Sequence, residues 1–322
     1  TLEDRTYDAR TTVKLGDSNR FSVGGEWREE ELFDTSMNSA GYDSVRHRAV
    51  FVQDELALDR WLLVLGTRYD DHDIFGGYHS PRAYAVYHAS DRLTFKSGVG
   101  RGFKAPNLKV LSPEYSVTTS SFVVFGNPNL EPEFNTSYEL GAHYRAERWS
   151  LQATLFQNDV KDLIQSYCAA DCDALRVLNY ENVEEARIRG VEIATSFAPV
   201  PRLGIDLNYT FLNAKDLSAD QPLAEKPKHA ANITLKWLAG DRLNAQLRGN
   251  YYGKQTMYSS EVRYGLPDYT LWGADLNYQL TPHFKLHLSG DNLTDESLAE
   301  LSTRFNYVEV GRSYSAGFTG SF

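Results

Sequence analysis

Gly100–Tyr144 reads GRGFKAPNLKVLSPEYSVTTSSFVVFGNPNLEPEFNTSYELGAHY. Its last part alternates: Tyr138, Leu140, Ala142 and Tyr144 are apolar or aromatic, and Glu139, Gly141 and His143 between them are polar or small. A period of two marks a strand with one apolar face. The middle holds Gly102, Pro106, Pro113, Gly126, Pro128 and Pro132. Proline cannot donate to a ladder, so the sequence predicts no strand there, only a loop of about 30 residues, far longer than ordinary strand connections. The same loop carries Tyr115, Phe122, Val123, Val124 and Phe125. That is too much apolar surface for a disordered linker, and the reading is an ordered loop folded over something.

Working outward, alternating segments recur over the whole chain and amphipathic helical patterns are almost missing. Strands are expected at 5–15, 20–32, 44–58, 61–72, 81–89, 92–100, 135–145, 148–158, 186–198, 202–213, 228–239, 242–253, 267–280, 283–293 and 312–322. These are about fifteen segments near the ~9–11 residues that a tilted strand needs to cross a membrane. Their connections alternate. Tight turns fall at Gly16–Asn19, Leu58–Arg60, Ala89–Arg92, Arg145–Arg148, Pro199–Pro201, Gly240–Arg242 and Thr281–His283. Long loops fall at about 33–43, 73–80, 101–134, 159–185, 214–227, 254–266 and 294–311. In an up-and-down meander every second connection lies at the same end. All short turns therefore gather at one end and all long loops at the other, as in transmembrane β-barrels of the bacterial outer membrane.

Within 202–213, Leu203, Ile205, Leu207, Tyr209 and Phe211 oppose Asp206, Asn208 and Thr210. Ile233, Leu235 and Trp237 oppose Asn232, Thr234 and Lys236, and Leu243, Ala245, Leu247 and Tyr251 oppose Gln246, Arg248 and Asn250. A soluble sandwich would hide the apolar set and a barrel in lipid would display it; alternation by itself fits both. The aromatics favour the barrel, because Tyr138, Tyr144, Trp149, Tyr209, Trp237, Tyr251, Tyr278, Phe284 and Phe322 sit near strand ends, where an interfacial girdle belongs. The chain ends on an alternating strand, Tyr314-x-Ala316-x-Phe318-x-Gly320-x-Phe322.

Composition narrows the partners. The formal net charge of −10 argues against nucleic acid. No apolar run reaches the ~18 residues of a membrane helix, and the N-terminal TLEDRTYDAR is no signal peptide. Because Thr1 is no initiator, the chain reads as a piece of something longer.

Seven stretches resemble one family in order and spacing: GRGFKAPNL (Gly100–Leu108), GNPNLEPE (Gly126–Glu133), YELG (Tyr138–Gly141), FQNDVKDLI (Phe156–Ile164), YENVEEARIRGVE (Tyr180–Glu192), NLTD (Asn292–Asp295) and Gly311–Phe322. From about residue 45 onward the chain is similar to the C-terminal part of a TonB-dependent outer-membrane receptor. Within that family it looks most like the ferric enterobactin and colicin I receptor group. The resemblance implies an all-β, antiparallel up-and-down transmembrane β-barrel, with residues 1–322 forming one partial barrel domain. They would be about the last fifteen of 22 strands, with the plug and the TonB-binding segment absent. It implies uptake of a ferric siderophore of catecholate type, with energy from TonB. The iron complex is then cargo, and no cofactor is covalently held. Cobalamin or haem receptors share many of these motifs, and a barrel enzyme or passive porin is the more distant alternative. Outer-membrane lipid and lipopolysaccharide would surround the barrel, long loops would be extracellular and short turns periplasmic, and a bacteriocin or phage could use the loops.

No catalytic set is visible. His47, His72, His79, His88, His143, His229, His283 and His287 lack zinc-site spacing. Asp70, Asp71 and Asp73 cluster at a loop entrance, where a solvated loop edge competes with a cation site. Cys168 and Cys172 share one long loop, and an oxidising exterior makes a disulfide the expectation. In the family the loops and upper plug hold the ligand. The loop residues suited to an anionic complex with aromatic rings are Arg101, Phe103, Lys104, Tyr115, Tyr167, Lys254, Tyr258, Tyr264, Arg304 and Tyr307. Phe122 and Phe125 join them, or else pack within their own loop.

Overall fold

The structure, a computed structural model, describes residues 1–34, 40–120, 122–171, 176–259, 262–305 and 309–321. In chain order the strands begin with β1 Leu2–Leu15, β2 Asn19–Phe33, β3 Tyr42–Leu58, β4 Trp61–His72, β5 Gly76–His88 and β6 Leu93–Lys104. A helical turn, α1 Leu108–Leu111, and two short strands, β7 Ser116–Thr118 and β8 Phe122–Phe125, follow. Then come β9 Glu133–Arg145, β10 Trp149–Ala170, β11 Arg176–Val200, β12 Leu203–Asp216, β13 Gln221–Pro222, β14 His229–Ala239 and β15 Leu243–Tyr252. The last elements are β16 Gln255–Ser259, β17 Val262–Leu266, β18 Tyr269–Thr281, β19 Phe284–Asp291, α2 Leu298–Leu301 and β20 Ser313–Gly320.

Each long strand pairs antiparallel with the next long strand along the chain, from β1 with β2 through to β19 with β20. Among the described residues β1 pairs only with β2 and β20 only with β19. The short connections lie at one end, as the alternation predicts. Gly240 shows the local chemistry: its φ of +74° is a left-handed conformation that glycine enters without a Cβ clash.

Four loop readings change, and one is that the expected loop 254–266 is largely the β16–β17 hairpin. The expected loop 73–80 is a three-residue connection, because β5 already starts at Gly76. Pro81 is tolerated there because the β5–β6 ladder begins only at Arg82–Gly100. The expected loop 159–185 is mostly strand: β10 runs 22 residues and β11 runs 25. Asp162, at φ +56°, hides the continuation by interrupting the pairing between Lys161–Glu185 and Leu163–Val183. The proline-rich middle is not strand-free either, since β7 pairs with β8 and β8 runs parallel to β11.

The burial pattern is that of a sheet in lipid. Mid-strand Leu65, Leu140 and Leu155 are each more than half exposed, at 60%, 54% and 53%. Buried apolar clusters gather instead at the loop end: Val160, Val183, Ala186, Ala214 and Leu223; Met257, Leu266, Tyr269, Leu298 and Phe305; and Leu32, Val45 and Leu108. A water-soluble fold would hide the mid-strand set. Aromatic pairs flank the leucine band. Trp61 stacks on Tyr87 at 4.5 Å and Tyr144 leans on Trp149 at 5.5 Å beside short turns, while Tyr7 leans on Trp27 at 5.6 Å towards the opposite end. Phe322 lies outside the described residues.

Candidate functional site at the loop end

The face opposite the leucines is polar and internally paired. Arg68 donates to Glu26 at 2.9 Å and to Asp70 at 2.7 Å, and His47 Nε2 lies 2.8 Å from Asp70 Oδ1. Further round, Lys236 meets Asp206 at 2.8 Å, Asn232 donates to Asn250 at 2.7 Å, and Arg248 reaches Asp275 at 3.0 Å. The aspartate cluster divides by strand alternation. Asp70 is buried on the polar face, whereas Asp71 stands 4.0 Å from Arg48 and Asp73 stands 3.9 Å from Arg46. No group of three or more His, Cys, Asp or Glu side chains arranged to hold a metal ion occurs among the described residues.

Above this wall the loops bring candidate ligand residues together in two places. At the end of β6, Phe103 stacks on Tyr78 at 4.7 Å and meets the edge of His47 at 6.1 Å. Phe134 leans on Tyr78 at 5.1 Å, and the Arg101 guanidinium lies 5.3 Å from the centre of the Phe134 ring. Lys104 is exposed and reaches Glu133 at 3.4 Å. A polar cavity of about 520 Å³ opens here, lined by Arg28, His47, Arg68, Asp70, Phe103 and Lys104 among others. In the second place, the Arg304 guanidinium lies 3.9 Å over the Tyr264 ring, and Arg304 Nε is buried without a hydrogen-bond partner. Tyr258 sits on the same hairpin as Tyr264, donates its hydroxyl to the Pro222 carbonyl at 2.9 Å, and is held above the usual phenol pKa by burial. Lys254 is exposed just before β16.

The remaining candidates stand apart. Tyr115 packs against the cluster of Leu32, Val45 and Leu108, where burial and then Asp34 raise its phenol pKa. Tyr167 is exposed on the extended β10–β11 hairpin, opposite Asn179. Phe125 is exposed and Phe122 half-buried in β8, which is laid along Arg176–Leu178. Tyr307 and Cys172 lie outside the described residues, and Cys168 is half-buried opposite Leu178. Sequence reasoning missed Tyr78, Phe134 and His47. They come together with Phe103 through ring contacts beyond the last β5–β6 pair, Arg82–Gly100.

The family-like motifs turn out to hold the loops in place. Asn127 donates to the Tyr180 carbonyl at 2.9 Å and takes the Asn129 amide at 2.9 Å. Asn182 accepts the Glu131 amide at 2.9 Å and donates to the carbonyls of Glu131 at 3.0 Å and Asp162 at 2.6 Å. Glu133 accepts the Ile164 amide at 3.0 Å. Leu130 and Pro132 are fully buried, and a Cβ at Gly126 would collide with the Ser112 carbonyl. In NLTD, Asn292 bonds Glu296 and Val310, and Asp295 accepts the Arg312 amide at 2.8 Å, which sets the entry to β20.

Comparison with known proteins agrees with this architecture. Residues 2–293 match the family described as TonB dependent receptor-like, beta-barrel. The iron-regulated outer membrane virulence protein of Vibrio cholerae is 31% identical over 99% of this chain and 52% of its own length. The ferric enterobactin receptor PirA of Pseudomonas aeruginosa is 30% identical over 94% of this chain and 47% of its own. A mutant of the ferric enterobactin receptor PfeA from the same organism, solved in complex with enterobactin, superposes with a TM-score of 0.81 at 25% identity, covering 100% of this chain and 54% of that one. The chain thus spans about half the length of the relatives it matches. It belongs to the β-barrel family of TonB-dependent receptors.

Proposed function

We propose that the complete protein is an outer-membrane receptor that takes up a ferric siderophore of catecholate type, energised by TonB. The observation that carries this reading is the placing of cations on aromatic faces at the loop end, Arg304 on Tyr264 and Arg101 on Phe134. A ferric catecholate is anionic and offers flat rings. Guanidinium groups meet its charge and aromatic faces stack on its rings. Arg101, Phe103, Tyr264 and Arg304 are the proposed direct contacts, with Lys104, Lys254 and Tyr307 adding charge or ring surface. Tyr115 and Tyr258 support the loops that carry them, and Tyr167 adds an exposed ring on the β10–β11 hairpin. That relatives are named ferric enterobactin receptors supports the same substrate class.

In this reading the long-loop end faces the outside and the short turns face the periplasm. The plug, the TonB-binding segment and the remaining strands belong to the part of the relatives that this chain does not match. Cys168 and Cys172 form a disulfide outside the cell, where a bacteriocin or phage could also dock. Ready thiol labelling of both cysteines on intact cells without reductant would exclude that bond. The function is tested by uptake of radiolabelled ferric catecholate into cells that lack other catecholate receptors. Uptake that requires both this protein and TonB is expected. Uptake that persists without TonB, or none at all, contradicts the proposal.

A further inference from the structure

A recess of about 580 Å³ lies on the lipid-facing side, in the middle of the sheet. Small residues, Ala83, Ala85 and Ser97, line its base, and Leu65, Leu140 and Leu155 form walls. Register explains the shape. Leu63, Ala85, Ser97, Leu140 and Leu155 follow one another across five adjacent strands, so small side chains face each other between large ones. The strands that form the recess are all paired on both sides, so no further strand is needed to complete it. An empty recess beside hydrocarbon loses dispersion contacts along its whole lining, and an acyl chain restores them.

One register row towards the loops, Tyr138 and Gln157 line the recess and Gln157 faces Arg189 on the next strand, about 4.8 Å away. The neighbouring outward cations are occupied: Arg187 donates to Asp159 at 2.6 Å, Lys161 meets Glu185 at 3.6 Å, and Lys215 pairs with Asp220. Arg189 is exposed, and its side chain has no ion pair or hydrogen bond among the described residues. A guanidinium at the edge of hydrocarbon is costly without an anionic partner, and phosphate fits its fork.

We propose that this recess binds one acyl chain of the phosphorylated, multiply acylated glycolipid of the outer leaflet, lipopolysaccharide, with Arg189 on a glycolipid phosphate. The site rests on the orientation given under Proposed function, since only the loop-side leaflet reaches Arg189. It is tested on the complete receptor in detergent by native mass spectrometry, titrating either rough-type lipopolysaccharide or phosphatidylglycerol. The lipid readout is independent of transport, so its failure leaves the uptake test untouched. The parent should retain lipopolysaccharide in preference to phosphatidylglycerol. Arg189→Gln should weaken retention about tenfold, the scale of one charge-assisted contact. Ala85→Leu, which fills the base, should weaken it as well, and Leu276→Met on the same face but another strand should not. Heat-modifiable migration on gels checks that each variant is folded. The proposal fails if the parent keeps no lipopolysaccharide, if phosphatidylglycerol is held equally well, or if folded Arg189→Gln and Ala85→Leu match the parent.

Discussion

Asn182 holds three backbone groups with one carboxamide, tying the GNPNLEPE segment to the β10–β11 hairpin across 51 residues of sequence. Aspartate or leucine has a similar size but cannot both donate and accept in this way. Asn182→Ala should therefore free the loop locally at a cost of about 1–3 kcal/mol. Hydrogen exchange at the Glu131 amide would rise accordingly, with the barrel strands unchanged; unaltered exchange at Glu131 would show that the bonds are redundant. The sequence displayed these motif residues plainly but not their task. A hydrogen bond to a carbonyl 50 positions away leaves no local pattern, so the same residues suit a ligand site and a loop clamp equally. The aspartate triplet was not legible: the sequence reads all three as one loop-entrance cluster, whereas strand alternation buries Asp70 on the polar face and leaves Asp71 beside Arg48.

At the scale of the strand, period-two alternation located every long strand, and its failures have physical causes. Pro81 lies where one side of β5 is unpaired, and Asp162 breaks the pattern without ending the hairpin. Neither event can be read without knowing which edges are paired. Face assignment is the sharper consequence. Leu207 stands between Thr195 and Ile233 and is 40% exposed, while Asn208 stands beside Asn232 in the polar ladder. Leu207→Arg should destabilise the complete barrel by about 2–4 kcal/mol if it lies near mid-membrane, and Asn208→Arg by much less. A folding titration in lipid giving equal losses for the two would reverse the faces.

For the whole molecule, buried apolar residues concentrate at the loop end and exposed ones in the strands, so the tightest packing serves to hold loops over a polar wall. The candidate site was half legible. Arg101, Phe103 and Lys104 are neighbours in sequence, and they do sit together. Arg304 and Tyr264 are 40 positions apart, belong to different loops in the sequence, and meet only through packing of the loop that follows β19 against the β16–β17 hairpin. Tyr78 and Phe134 carried no signal of their own.

The chain is acidic overall, at −10, so an anionic ligand is not drawn in by the protein as a whole and depends on local cations at the mouth. Titration of a ferric tricatecholate into the complete receptor, at low and high salt, measures this directly. Arg304→Ala should weaken binding about 10- to 150-fold, the scale of a charge-assisted contact, with smaller losses at Arg101 and Lys254. Salt should weaken the parent and flatten the difference. If all three alanine variants bind as tightly as the parent and salt has no effect, the anionic siderophore is not the ligand, and a neutral, cobalamin-type ligand takes its place.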